Sequence, residues 1–268
     1  MAASLLTTSS AQSAENEHAE VQFASALASA HPPVPSEPPQ LNRLPIPAAA
    51  SLYFQGGTLV LDGVGQEHAV HPAFQWIKAR WRCEAYHLPA LLSWLRENRI
   101  RNSAQRWRLL NLTLHDGRQP HDFQLEALRA WDKAERLGSI VLPTGSGKTF
   151  VAIQAIKRVG ASTVVVAPTI DLLHQWYARL VNAFCPAGAV QTGDAMQIGV
   201  YYGGEKQVEP ITVTTYHSAG DLMAAYGNRF KLIIYDEVHH LPAPSWGDGA
   251  HGAGALPVGL DGHLPGSP

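Results

Sequence analysis

The segment SIVLPTGSGKT, residues 139–149, narrows the folds open to this chain more than any other stretch. A short apolar run leads into a loop with two glycines, and Gly-Lys-Thr then opens a stretch of helical spacing from Lys148 to Val159. Glycine at 145 and 147 lets the backbone turn its N–H groups inward, where they form a nest for phosphate oxygens. The start of a helix adds a favourable field for an anion. In such a loop Lys148 reaches the β- and γ-phosphates, and the Thr149 hydroxyl coordinates Mg2+. Thr144, Gly145, Ser146, Gly147, Lys148 and Thr149 are the candidate nucleotide-binding residues, with ATP and Mg2+ as implied cofactors. The loop departs from the general pattern at its first position, where Leu142 replaces glycine.

From Asp116 onward, helical stretches alternate with short apolar runs. Helices are expected over 122–137, 148–159 and 170–184, and strands at SIVLP, STVVVAP, ITVTTY and FKLIIYDE. Strands apolar throughout are buried on both faces. The pattern therefore predicts an α/β fold, a parallel sheet with helices on both faces. Ligands in such sheets bind beyond the carboxyl ends of the strands. KLIIYDE (231–237) places Asp236 and Glu237 at that edge. Asp236 is expected to hold Mg2+, commonly through water, and Glu237 to polarise the water that attacks the γ-phosphate. His239 and His240 follow, but adjacent histidines leaving a strand point apart and lack the one-turn spacing of a zinc helix. His239 is expected to be a polar coupler near the γ-phosphate.

PTGSGKT and DEVHH together resemble the P-loop NTPase (RecA-like) motor of superfamily 2 DEAD/DEAH-type DNA helicases, most of all the XPB-like branch. VVVAPTIDLLHQWYARL (164–180) is similar to that branch's motif Ia, IGVYYGGEK (198–206) to its Gly-Gly segment, and ITVTTYHSA (211–219) to its Thr-Thr-Tyr strand. The resemblance implies DNA as partner, held non-specifically by its backbone through Pro168, Thr169, Gln175, Thr214 and Thr215. QPHDFQLEALRAW (119–131) resembles the region that carries an adenine-reading glutamine, which would be Gln124. An amide can pair bidentately with adenine N6 and N7. The arginine often found just before that glutamine is absent, with His121 and Asp122 there instead. The implied activity is that of an ATP-dependent DNA helicase or translocase, with Lys148, Asp236, Glu237 and His239 catalytic. Two other readings are a product that binds nucleotide or DNA without turnover, and a fragment of a restriction-type superfamily 2 translocase.

The likeness is strong over 116–246 and weaker over 51–115, where a small α/β region, a candidate DNA-contacting domain, is expected. That region holds a hairpin at LYFQGGTLVL and a helix at 88–100 with Leu88, Leu91, Leu92 and Leu95 on one face. It also carries Lys78, Arg80, Arg82, Arg96, Arg99, Arg101, Arg106 and Arg108, interleaved with Trp76, Trp81, Trp94 and Trp107. Such a mixture can follow phosphates and stack on bases, and it equally suits a small domain with Trp inside and Arg outside. Residues 1–50 are Ala/Ser-rich, then Pro-rich, and are expected to be disordered. Residues 247–268 are expected to be a Gly/Pro-rich tail outside the family, following a frameshift near 247–255 that truncates the chain. Shifting the frame permits an apolar strand ending in Thr-Ala-Thr. Without that strand the sheet is expected to be incomplete, because GALPVGL substitutes poorly. Two distant cysteines, Cys83 and Cys185, suggest a reducing, cytoplasmic setting and no disulfide framework. No apolar run is long enough to span a membrane, and residues 1–30 lack the pattern of a secretory signal.

Overall fold

The computed structural model describes residues 20–22, 43–136, 138–185, 197–237 and 256–261. Two sheets organise them. In the smaller one, β2 (Ser51–Gln55) and β3 (Thr58–Asp62) form a hairpin. Its turn residues Gly56 and Gly57 have φ of +58° and +81°, the pair of positive values that matches a two-residue turn to the twist of its strands. The sheet runs β4 (Gln75–Ile77), β5 (Arg80–Glu84), β3, β2, β6 (Arg101–Asn102). Helix α1 (Leu88–Glu97) buries Leu88, Leu91 and Leu95 against it. Leu92, expected on the same face, is 37% exposed, since it lies a further 100° around the helix from Leu91.

The larger sheet is ordered β1 (Glu20–Gln22), β7 (Gly138–Val141), β13 (Leu256–Asp261), β12 (Leu232–Asp236), β8 (Thr163–Ala167), β11 (Ile211–Thr215), β9 (Ile198–Tyr202), β10 (Glu205–Gln207). Its interior pairs are parallel, while β1 and β10 close the edges antiparallel. β8, β11 and β12 are buried at every residue. Val165 and Ala167 face a core built with α2 (Asp122–Lys133), α3 (Lys148–Val159) and α4 (Ile170–Phe184). Val164 and Val166 face the opposite core, where α5 (Tyr216–Tyr226) contributes Leu222 and Met223. The sheet is thus covered by helices on both faces, as the uninterrupted apolar strands require.

Three expectations are corrected. Glu20–Gln22 pairs with β7, and Ala50 is buried at the entry to β2, so parts of 1–50 are ordered. Leu44 also bridges to His68, which ties this segment to the small sheet. The expected gap in the large sheet is filled by β13, which pairs with β12 on one side and β7 on the other. Pro257 cannot donate to the ladder, yet leaving both neighbours unpaired in the sheet interior would orphan more backbone groups than one proline does. Helix α2 ends at Lys133 rather than 137, because Glu135 and Arg136 take φ of +55° and +66°. The segment 104–115 ties the two sheets together. Asn228 Nδ2 donates to Ala104 O at 2.7 Å, Leu110 N to Gly160 O at 2.8 Å, and His115 N to Ala183 O at 2.9 Å.

Cys83 and Cys185 are not joined by a disulfide. Burial inside the small sheet pushes the Cys83 thiol up to about 12, while half-buried Cys185 at the end of α4 is raised by burial alone. Thiolate is the reactive form, so iodoacetamide at pH 8 should modify Cys185 well before Cys83 in the native protein. Equal rates by mass spectrometry would show that the small sheet opens freely.

Candidate nucleotide site at the sheet edge

The loop 143–149 leaves β7 and enters α3 through two left-handed glycines, Gly145 (φ +81°) and Gly147 (φ +86°). A Cβ on Gly147 would come within 2.8 Å of Gln124 Nε2, so the loop and α2 approach too closely for a side chain there. Gly145 has open space instead. Gly147 caps α3 without a side-chain hydrogen bond, no acidic residue lies in the first turn, and Lys148 is its first residue. An uncapped helix start reinforced by a cation suits an anion, and nothing negative in the first turn competes for it.

The end of β12 meets this loop. Lys148 Nζ lies 3.5 Å from Glu237 Oε1. Glu237 adopts φ of +53°, a conformation that costs a residue with a Cβ and is retained where surrounding structure imposes it. Asp236 is 9% exposed, and its Oδ2 accepts the indole N–H of buried Trp176 at 2.7 Å. Burial pushes the Asp236 carboxyl up; the Trp176 hydrogen bond and the Lys148 charge pull it back, and Glu237 adds to the rise. The Tyr216 hydroxyl donates to the Asp236 carbonyl at 2.5 Å and braces the strand end from α5. The Thr149 hydroxyl accepts from Arg179 on α4. A hydroxyl and a carboxylate at the lip of an anion-binding loop are hard oxygen donors of the kind Mg2+ selects, so the residues present fit a Mg2+-bound nucleotide.

Lys148, Thr149, Asp236 and Glu237 therefore share one end of the sheet, with Thr144 and Gly145 exposed on the loop. Gln124 has another contact set from that expected. Its Oε1 accepts from His121 N at 3.0 Å, and its Nε2 donates to Ser146 O at 2.7 Å. Both ends of the amide are engaged within the protein, so Gln124 braces the loop rather than presenting itself to a base. Ser146 Oγ adds a bond to Pro143 O at 2.6 Å. Among the expected nucleic-acid residues, Thr169 is exposed and caps α4 by accepting from Leu172 N, Gln175 is exposed, and Pro168 is half-buried. Thr214 does not fit that role. It is fully buried, and its hydroxyl donates to Tyr201 O at 2.7 Å inside the sheet. Thr215, 7% exposed, caps α5. His239 lies outside the described residues.

Sequence reasoning missed Trp176 and Arg179. Trp176 sits in LLHQW at core spacing from Leu173 and Leu180, so its indole N–H was hidden behind an apolar assignment. Arg179 lines a cavity of about 480 Å³ that opens beside Gly147 and Thr149. Its other walls include Phe150, Ile153 and Arg118, whose guanidinium lies 4.8 Å from the Phe150 ring centroid. Trp176→Phe should lower stability by about 1–3 kcal/mol, because it removes the side-chain donor to a buried carboxylate. An unchanged thermal midpoint would show that the bond is not formed in solution.

Residues 118–250 match the family model described as Type III restriction enzyme, res subunit. The DNA 3'-5' translocase XPB2 of Sulfurisphaera tokodaii is 43% identical over 125 residues, 47% of this chain and 26% of that protein. The DNA 3'-5' helicase XPB of Mycobacterium tuberculosis is 36% identical over 143 residues, 50% of this chain and 24% of that protein. The chain thus spans about a quarter of the length of these relatives. The crystal structure of the UvsW helicase from bacteriophage T4 aligns at 14% identity and a TM-score of 0.42, over 81% of this chain and 93% of that one. Residues 118–250 of this chain thus match the ResIII family model, and this stretch is similar to XPB-like proteins.

Proposed function

We propose that this chain carries the ATP-binding motor domain of an ATP-dependent DNA helicase or translocase. The observation that carries the reading is the meeting of Lys148 and Glu237 at 3.5 Å, which brings the phosphate-binding loop and the acidic strand end into one site. The loop N–H groups and Lys148 hold the triphosphate, and Thr149 with Asp236 holds Mg2+, which when bound neutralises phosphate charge. Trp176 keeps the Asp236 carboxylate aimed from its buried side. Glu237 is placed to orient and polarise the attacking water once Lys148 turns to phosphate. His239 is retained as a coupler at this site. Thr144, Gly145, Ser146 and Gly147 line the loop.

DNA is the proposed track, with Pro168, Thr169 and Gln175 contacting its backbone at the edge where β8 enters α4. The relatives' names support this choice, since both specify DNA. A cytoplasmic setting fits a chain whose two cysteines are not joined by a disulfide. Among the described residues no helix is long and apolar enough to cross a membrane.

Lys148→Ala should weaken ATP binding roughly 10- to 100-fold, the worth of a charge-assisted hydrogen bond. Unchanged affinity in titration calorimetry would remove the phosphate-loop assignment. Glu237→Gln should lower DNA-stimulated phosphate release by roughly 10² to 10⁴, the usual contribution of a general base. It should leave ATP affinity equal or raised, since Lys148 loses its internal partner. A parallel loss of binding and turnover would mean that Glu237 shapes the site rather than acting on water.

A further inference from the structure

The phosphate loop accounts for one end of a nucleotide and leaves the base at the other end without a reader. Gln124, whose place in the sequence suits that role, is 3% exposed and wedged under the loop, where a Cβ on Gly147 would come within 2.8 Å of its Nε2. Its Oε1 holds the His121 N–H at the start of α2, and its Nε2 holds the Ser146 carbonyl. Turning that amide toward a base would give up both bonds and leave a helix-start donor and a loop carbonyl without their partner. Exchanging two bonds for two gains little. It would also loosen the loop at the moment it must grip phosphates.

A different surface lies within reach. The cavity of about 480 Å³ that opens beside Gly147 and Thr149 falls in the size range of small-ligand clefts. Part of its wall is apolar, with Phe150, Ile153 and Ala183 each no more than 6% exposed. Arg118 stands at the same wall, its guanidinium carbon 4.8 Å from the Phe150 ring centroid. Both carboxylate oxygens of Asp116 are taken up by Arg118. Oδ1 accepts from its backbone N at 3.1 Å and its Nε at 3.0 Å, and Oδ2 accepts from Nη2 at 2.5 Å. The guanidinium is thereby held in one orientation, and the carboxylate that could tell one base edge from another is occupied. Asn182, exposed at the rim, can present either the donor or the acceptor end of its amide. The cavity fixes planes and leaves edges unread.

We propose that the base of a nucleotide held at the phosphate loop lies in this cavity against the Arg118 guanidinium and the apolar wall, without pairing along its edge, so that the site takes adenine and guanine nucleoside triphosphates alike. The inference rests on the phosphate-loop reading above and adds the substrate class, purine nucleoside triphosphates as a group. Adenine and guanine differ in the donors and acceptors on their edges, while both offer the same fused π-face. Stacking is tolerant of base identity for that reason. Guanidinium planes stack on such faces, and Arg118 is already oriented. The Arg179 fork beside Thr149 supplies donors for ribose or phosphate oxygens, which ATP and GTP share.

The test is titration calorimetry of the full chain with MgATP, MgGTP and inorganic triphosphate. ATP and GTP should bind within about fivefold of each other, whereas a site built to hydrogen-bond one edge rejects the other by several orders of magnitude. Inorganic triphosphate should bind more weakly than either. Arg118→Ala should weaken ATP and GTP together by about 3- to 30-fold, the range of a cation–π contact, and leave triphosphate unchanged. Retained triphosphate binding shows in the same experiment that this variant is folded. Gln124→Ala, which removes the brace under the loop, should weaken all three ligands alike. A preference for either base beyond about fivefold in the parent would overturn the proposal, and its loss in Gln124→Ala with triphosphate binding intact would identify Gln124 as the reader. Arg118→Ala that binds both nucleotides as the parent does would overturn it too. A parent that binds neither nucleotides nor triphosphate would remove the phosphate-loop reading, and this one with it.

Discussion

Strands β8, β11 and β12 have no wet face, and most of the molecule's architecture follows from that condition. Each of their backbone N–H and C=O groups must be paired within the sheet, and each side chain must be apolar or bonded locally. Thr214 illustrates the second requirement with its hydroxyl returned to Tyr201 O. Polar chemistry is thereby driven to the strand ends. Asp236 is the last residue of β12, and the phosphate loop leaves the end of β7. The site lies where it does because nowhere inside the sheet can hold a charge without expelling it.

The phosphate loop and the acidic strand end were legible in the sequence because their chemistry depends on residue type and order, with glycine, lysine and threonine in fixed succession after a strand. Helices α3 and α4 were legible to the residue, since each has clear punctuation: Gly147 and Gly160 around one, the Thr169 cap before the other. What stayed hidden was determined by distance in space. Gln124 looked like a base reader from its place ahead of the loop, but its amide is consumed by His121 N and Ser146 O. Thr214 and Thr215 were expected at the DNA backbone from the family resemblance, while the pleat and the α5 cap bury both. The last strand could not be anticipated either. Leu256–Asp261 has poor intrinsic strand character, and it pairs because two neighbours with unfilled ladders flank it.

Helix α4 joins features that the sequence presents separately. Its N-terminal cap, Thr169, is exposed at the sheet edge, Trp176 grips Asp236 about two turns along, and Arg179 reaches Thr149 just under one turn further. A helix is stiff over such a length, so these three contacts cannot rearrange independently. The two oxygens suited to Mg2+ are each held by a side chain of this one element.

The ion pair between Lys148 and Glu237 has a consequence for what can enter the loop. With only about one-eighth of the Lys148 side chain exposed, the ammonium already has a carboxylate neighbour, and an incoming anion competes with a tethered rival of fixed local concentration. A single small anion offers little more than the carboxylate it displaces. A polyphosphate that also fills the backbone nest brings several bonds at once and wins the exchange. An ion pair placed there would favour ligands that engage the whole cradle over a single small phosphate.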